Sequence, residues 1–345
     1  ETRYRDTAGD SELAKDEWFD HVNKYQQDEK NYRSATNLIK RMRHGTALLF
    51  VLLSAVWGLS FVAARAALPY IPPLPLAALR FDIVAVVMLA YTINTTDRWH
   101  PQTIQEWWVV VVGGTLFVAA HHGLLFAGQQ YITSTVAAVV VSLDPLLAAG
   151  FAWFLLTNEQ LDRFGIVGLL FGFAGVAIIA NPTVDSVGAT TILGVGLVFL
   201  SAAAFAFGAV LVRRFQTKFP VQTMQAWMMI IGAPLLHLAD LILPIPGFEM
   251  IEWTNPAIAG LAYLALIAGA GGYLLYFVLL DRIGPIEVNL IGYTAPMFAA
   301  LGGWIFLGEG IALRTMLGFL VIITGFVLLK REAIRTELRE TLRGH

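Results

Sequence analysis

Asp144 stands in the middle of a long apolar run and is followed directly by Pro145. A carboxylate at the centre of a bilayer costs about 2.5 to 3.5 kcal/mol on insertion scales. It must therefore be paired, hydrated or protonated. Asp144 can hold a ligand amine or exchange a proton. It can also cap backbone donors beside the proline, or neutralise Arg80. Arg80 lies in the outer third of another apolar run, from where its long side chain can snorkel to the surface or turn inward to meet a carboxylate. Asp82, two residues on, does not share its helical face. His121 and His122 are neighbours, so their side chains diverge by about 100° and at most one of them meets a given interior. Each suits a neutral hydrogen-bonding role, a proton relay or a ligand contact. No further ligands stand at metal-binding spacing, so no metal is expected. Trp57, Tyr273, Tyr276 and Tyr293 supply rings and hydroxyls that can stack on a ligand or fill space between helices. His237 and Asp240, at i,i+3, read as a pair near a span end. Glu159, Glu287, Asn289 and Glu309 open apolar runs, where acids complement a helix N-terminus.

These residues need helices in lipid to position them. Hydrophobic residues make up 57% of the chain and charged ones 14%, against roughly a quarter charged in soluble domains. Ten apolar runs approach the roughly 20 residues needed to cross a bilayer core: approximately 46–68, 74–93, 107–129, 132–156, 163–180, 191–212, 221–243, 257–280, 286–307 and 311–329. The fold class is all-α and integral to the membrane. Pro145 and Pro296 interrupt runs at corresponding places in two halves of the chain. In a bilayer the backbone groups freed by a proline need protein, water or a ligand to satisfy them. Paired interruptions of this kind point to a midplane binding site in transporters.

Lys40, Arg41 and Arg43 precede the first run, while Lys330, Arg331, Arg335, Arg339 and Arg343 follow the last. The positive-inside rule then puts both termini in the cytoplasm. Threading ten spans from there leaves Arg98, Arg163, Arg213, Arg214, Lys218 and Arg282 inside, with only Arg65 and Arg314 near the outer face. Trp107, Trp108, Trp153, Trp253 and Trp304 fall near span ends, where indole rings favour the headgroup region. Residues 1–41 are polar; Trp18, Val22 and Tyr25 make only a short stripe, and Met42 directly before Arg43 reads as a natural start with a non-native tail upstream. Residues 332–345 form a basic tail. The absence of cysteine excludes disulfide and thiolate chemistry.

Moved along itself by about 150 residues, the chain superposes Trp57-Gly58 on Phe207-Gly208, Glu159 on Glu309, Gly168 on Gly318 and Gly175 on Gly325, as duplicated transporter halves do. Pro145 meets Pro296 one residue further on. The halves are residues 43–181 and 190–331, each with five spans. Five is odd, so the second half enters the membrane from the opposite side and the repeats are inverted. Gly168 and Gly172 make a small-xxx-small pair that reads as tight packing within its repeat. The Gly269-Ala270-Gly271-Gly272 stretch allows close helix approach or leaves room beside a cavity.

Ala55-Val56-Trp57-Gly58-Leu59-Ser60-Phe61, Leu79-Arg80-Phe81, the Asp144-Pro145 and Ala295-Pro296 segments, and Phe306-Leu307-Gly308-Glu309 before a glycine-spaced last span occur in that order. In this order and duplication the chain, from 43 to about 331, resembles the drug/metabolite transporter superfamily, EamA-type branch. The resemblance implies export or exchange of small metabolites such as amino acids, with spans 1–4 and 6–9 lining a central cavity and spans 5 and 10 peripheral. Alternating access in the cell membrane is expected, with proton coupling and facilitated diffusion both open, and a monomer or homodimer. No cofactor and no nucleic-acid partner is expected. An intramembrane enzyme or a channel is the alternative; the chain has no His-Glu-x-x-His, phosphate-loop or Gly-x-Ser-x-Gly motif.

Overall fold

A computed structural model describes residues 45–156, 162–180, 186–215 and 217–343. The polar tail 1–41 with Lys40 and Arg41, together with Met42, Arg43, Glu159 and Asp185, lies outside the described residues. The chain divides into the units Glu1–Phe50 and Val51–His345, and the second holds the helical bundle. Ten helical elements run α1 Gly45–Ala67, α2 Pro73–Thr95, α3 Ile104–Gln129, α4 Ser134–Leu155, α5 Arg163–Ala180, α6 Ser186–Arg214, α7 Val221–Ile242, α8 Asn255–Gly284, α9 Ile291–Leu307 and α10 Leu313–Arg343. Among the described residues eight helices are long and apolar enough to cross a membrane, and Ile291–Leu307 and Leu313–Leu329 are shorter apolar helices. The latter two still reach the lower limit of about 17 residues for a span. Apolar side chains cover the outside: Val86, Phe154, Leu241 and Phe306 are largely exposed. In water such a surface would be a penalty, whereas in hydrocarbon it is the solvated state. Trp107, Trp108, Trp153, Trp253 and Trp304 are exposed too.

Inversion of the repeats is visible in how the last helix of each half meets the other. A Cβ at Gly318 would lie 2.7 Å from the Gly175 carbonyl, and a Cβ at Gly175 would lie 2.7 Å from that of Gly318. Gly168 and Gly325 meet in the same reciprocal way. The four glycines are the two pairs that the internal repeat superposes, so each contacts the equivalent of its partner, as a two-fold axis between antiparallel helices demands. The small-xxx-small expectation is thereby corrected in part. Gly168 packs against the other repeat, and Gly172 packs within its own, against Leu143 and Leu146. The α5/α10 crossing is closed at one end by Arg331, which pairs with Asp162 and lies 3.4 Å from the centroid of Phe164.

The interruptions differ from those the prolines suggested. Helix α4 breaks at Ser142–Leu143, so that Pro145 sits in the first turn of Asp144–Leu155, where its missing N–H costs no hydrogen bond. Pro296 lies inside α9, and the break nearby falls earlier, at Asn289–Leu290, following Gly284 with φ 81°. Span 9 therefore starts as a continuous helix only at Ile291. Glu287 and Asn289 belong to this bent connection, their carbonyls accepting from Leu290 N–H at 3.1 Å and Gly292 N–H at 3.2 Å. The matching interruptions are elsewhere. Residues Gly114–Ala120 of α3 and Tyr263–Gly271 of α8 are π-helical, and these segments coincide under the same internal shift of about 150 residues.

Two sets of polar contacts tie the repeats at opposite ends of the bundle. At one end Glu309 accepts from Ser134 N–H at 3.0 Å and Ser134 Oγ at 2.6 Å, with Arg65 Nε 3.9 Å away. Glu309 thus caps α4 in the other repeat, correcting the expectation that it serves span 10. At the other end Arg98 holds Glu106 at 2.5 Å and donates to the Lys218 carbonyl at 3.3 Å, while Thr223 donates to the Arg98 carbonyl at 2.7 Å. Glu106 is also the third residue of a capping box with Thr103, a Thr-x-x-Glu signature that places the start of α3 before Trp107.

The glycine crossing gives a direct test. Gly325→Leu should force α5 and α10 apart and cost about 1–3 kcal/mol, the usual scale of overpacking. The purified protein should melt at a lower temperature. Gly196→Ala, at a helical glycine whose Cβ would meet open space, should leave the melting temperature unchanged or slightly raised.

Candidate functional site

A half-buried polar and aromatic cluster lies beside the two π-helical segments. Side chains at a π segment are re-aimed and some carbonyls are released, so such segments recur at functional sites. Here side chains take up the released carbonyls. Trp57 Nε1 of α1 donates to the Ala268 carbonyl at 3.1 Å, and His122 Nδ1 donates to the Phe117 carbonyl at 3.0 Å. His121, at the first residue after the π segment, donates from Nδ1 to the Ser201 carbonyl of α6 at 3.1 Å and lies 2.8 Å from Ser201 Oγ. The two imidazoles stand edge to face with centroids 4.6 Å apart. They point to different neighbours, as adjacent helical residues must: His121 toward Phe205 at 5.1 Å, His122 toward Phe81 at 4.5 Å. The largest group of metal-competent side chains among the described residues has fewer than three members.

Arg80 enters this cluster from α2. It is 6% exposed, so its guanidinium does not snorkel; it turns into the protein. Electrostatic reach connects it to His121, His122 and Tyr273. It makes no hydrogen bond or ion pair with any described residue, and its Nε is fully buried and unpartnered among them. The rings of Tyr273 and Tyr276 lie 6.2 Å and 5.7 Å from that of Trp57. Gly272 makes this possible, because a Cβ there would stand 2.6 Å from Trp57 Nε1. Six of the residues singled out from sequence, Trp57, Arg80, His121, His122, Tyr273 and Tyr276, thus form one cluster drawing on both repeats.

The other four group separately. Asp144 and Tyr293 lie within electrostatic reach of each other, and Tyr293 packs on Phe326 of α10 at 4.3 Å. Both Asp144 Oδ1 and the Tyr293 hydroxyl are buried without a hydrogen-bond partner among the described residues. Neither structural role considered for Asp144 is realised: helix Asp144–Leu155 has no side-chain cap, and no contact joins Asp144 to Arg80 among the described residues. Pro145 belongs to the same helix start, and Pro296 is buried in α9 one turn beyond Tyr293. Close by, Thr294 bonds Ser54 of α1 at 2.7 Å.

His237 pairs differently from its expected i,i+3 partner. Its Nε2 lies 2.9 Å from Asp82 of α2, and its ring stacks on Phe248 at 5.1 Å. Asp240 Oδ1 is left without a partner among the described residues. Ser201 and Phe205 were not anticipated, because a serine and a phenylalanine in an apolar helix carry no spacing signal. The π segments had one, in Gly113-Gly114 and in the glycines from Gly269 to Gly272.

Comparisons with known proteins agree with this architecture. The uncharacterized transporter YvbV of Bacillus subtilis is 28% identical over 84% of this chain and 92% of its own length. A WAT1-related chloroplastic protein of Arabidopsis thaliana is 26% identical over 79% of this chain and 66% of its own. Protein PecM of Dickeya dadantii is 25% identical over 80% and 89% respectively. A solved crystal structure, 20% identical, covers 85% of this chain and 99% of its own with a TM-score of 0.58, which shows the fold. The family model for EamA-like transporters matches twice, over residues 45–181 and 192–331. With two matching five-helix halves spanning nearly all of its apolar length, the chain belongs to the EamA-like transporter family and is a multi-pass membrane transporter.

Proposed function

We propose that the protein is a secondary transporter of small metabolites, amino acids or related compounds, working by alternating access in the cell membrane with both termini in the cytoplasm. The observation that carries this reading is the pair of π-helical segments at equivalent places in α3 and α8, bordering one cluster of polar and aromatic side chains from both repeats. Inverted repeats exchange conformations when the molecule opens to the other side, so a site between them is served from either side in turn. The two end contacts, Glu309 with Ser134 and Arg98 with the Lys218 carbonyl, both cross between repeats. Each is a latch whose release opens one side.

In this mechanism Trp57, Arg80, His121, His122, Tyr273 and Tyr276 contact the substrate, and Asp144 with Tyr293 forms a second polar point between Pro145 and Pro296. Asp144 is the group suited to carry a coupling proton, because it is an acid in low dielectric without a fixed partner among the described residues. Counterflow in proteoliposomes tests the function: saturable exchange of a metabolite supports a carrier, a covalent product indicates an enzyme, and an ohmic current indicates a channel.

Two further outcomes are expected. Asp144→Asn keeps size and hydrogen bonding but removes the titratable charge. The variant should remain folded while pH-driven accumulation falls by about tenfold or more, on the scale of a lost general acid or base; an unchanged pH profile would remove Asp144 from coupling. For topology, a cysteine placed at Glu249 in this cysteine-free chain should react with an impermeant reagent from outside. One placed at Lys218 should react only after permeabilisation, and the reverse pattern would invert the assigned orientation.

A further inference from the structure

Arg80 is a permanent cation that the described residues leave without a counterion. At 6% exposure it has lost nearly all contact with bulk solvent, and burying an unpaired charge costs several kcal/mol. Folded proteins recover that cost with a carboxylate side chain, yet no Asp or Glu among the described residues pairs with Arg80. Asp82, two residues along, turns away to His237 at 2.9 Å. Asp144 belongs to the separate group with Tyr293. The titratable groups within electrostatic reach of Arg80 are His121, His122 and Tyr273. Each imidazole directs its Nδ1 to a backbone carbonyl, Ser201 and Phe117 respectively, and neither ring can serve Arg80 as an anion. The Phe81 ring lies 5.1 Å from the guanidinium carbon.

Resting on the transporter reading above, we propose that Arg80 is the anchor for the carboxylate of the transported molecule, and that the substrates are organic monocarboxylates with an aromatic or apolar body. The guanidinium presents a planar fork matched to a carboxylate's two oxygens. One fixed positive charge balances one negative charge; a phosphate monoester, with about −1.5 to −2 at neutral pH, would leave an excess buried. The rest of the molecule meets the Trp57, Tyr273 and Tyr276 rings, the two tyrosine centroids lying 6.2 Å and 5.7 Å from the indole. Arrival of the anion supplies the ion pair that no described residue makes with Arg80.

The test uses the full-length protein in lipid nanodiscs and pairs of probes that differ at one group. L-phenylalanine and benzoate are compared with L-phenylalaninamide and benzamide by calorimetry, with inorganic phosphate as a further ligand. The wild type should bind the acids about tenfold or more tightly than the amides, the scale of a charge-assisted bidentate contact. Arg80→Gln should abolish that discrimination, and Arg80→Lys should retain part of it, since the charge persists without the fork. Should Arg80→Gln not fold, Arg80→Lys and the wild-type acid/amide comparison still decide. Equal binding of acids and amides, binding of phosphate alone, no binding of either acid, or undiminished discrimination in Arg80→Gln would each overturn the proposal. Proteoliposome counterflow with a broad metabolite mixture separates the two levels. Absence of any exchange defeats the transporter reading, whereas exchange confined to amines or neutral compounds defeats only the carboxylate assignment.

Discussion

In hydrocarbon a backbone carbonyl or N–H without a partner finds no water, and each one costs several kcal/mol. Helix is the answer along most of this chain, and every departure from regular α-helix must come with a substitute donor or acceptor. The departures are where the molecule becomes particular. At the π segment of α8 the indole of Trp57 serves the Ala268 carbonyl; at that of α3 the imidazole of His122 serves Phe117. At the start of α4 the Glu309 carboxylate serves the Ser134 N–H. The polar side chains of the bundle interior are therefore positioned first by the needs of the backbone, and their remaining faces are what a ligand meets.

Charge obeys the same constraint with larger penalties. Arg331 with Asp162 and Arg98 with Glu106 are paired near helix ends, where water and headgroups lower the cost of any mismatch, and His237 with Asp82 is a half-exposed pair. Arg80 and Asp144 differ, because each retains a buried polar atom with no partner among the described residues. Among the described residues a guanidinium and a carboxyl group thus stand inside, in separate groups, each with a buried polar atom that no side chain or backbone group meets.

Much of this was legible in the sequence because lipid simplifies the code. Apolar run lengths set the ten helices, and the coincidence of Gly168 with Gly318 and Gly175 with Gly325 revealed the duplication, because only glycine lets two backbones come so close. The grouping of Trp57, Arg80, His121, His122, Tyr273 and Tyr276 was not readable, since helical spacing says which residues share a face and not which faces meet. Proline misled in a specific way. Pro145 at a helix start sacrifices nothing, so it marks a break that lies before it, and Pro296 is accommodated within a continuous helix. The interruptions that do correspond sit at glycines, where the backbone can widen without a proline to advertise it. His237 was paired by spacing with Asp240, yet a neighbour on α2 offered better geometry, a choice made by tertiary packing.

A π segment has a geometric effect that a loop or a kink lacks. It accommodates residues within the helix while the axis continues, and each residue added to a regular α-helix turns everything beyond it by about 100°. In α3 and α8 the portion before the segment packs closely, Gly113 against α7 and Gly260 against α1, while the portion beyond carries His121, His122, Tyr273 and Tyr276. The segments thus set the rotational phase between the two portions of the same helix. Lengthening or shortening one by a single residue would turn the portion beyond it, exchanging the side chains shown to the interior together with that portion's own contacts, such as Gly128 on Gly194 of α6.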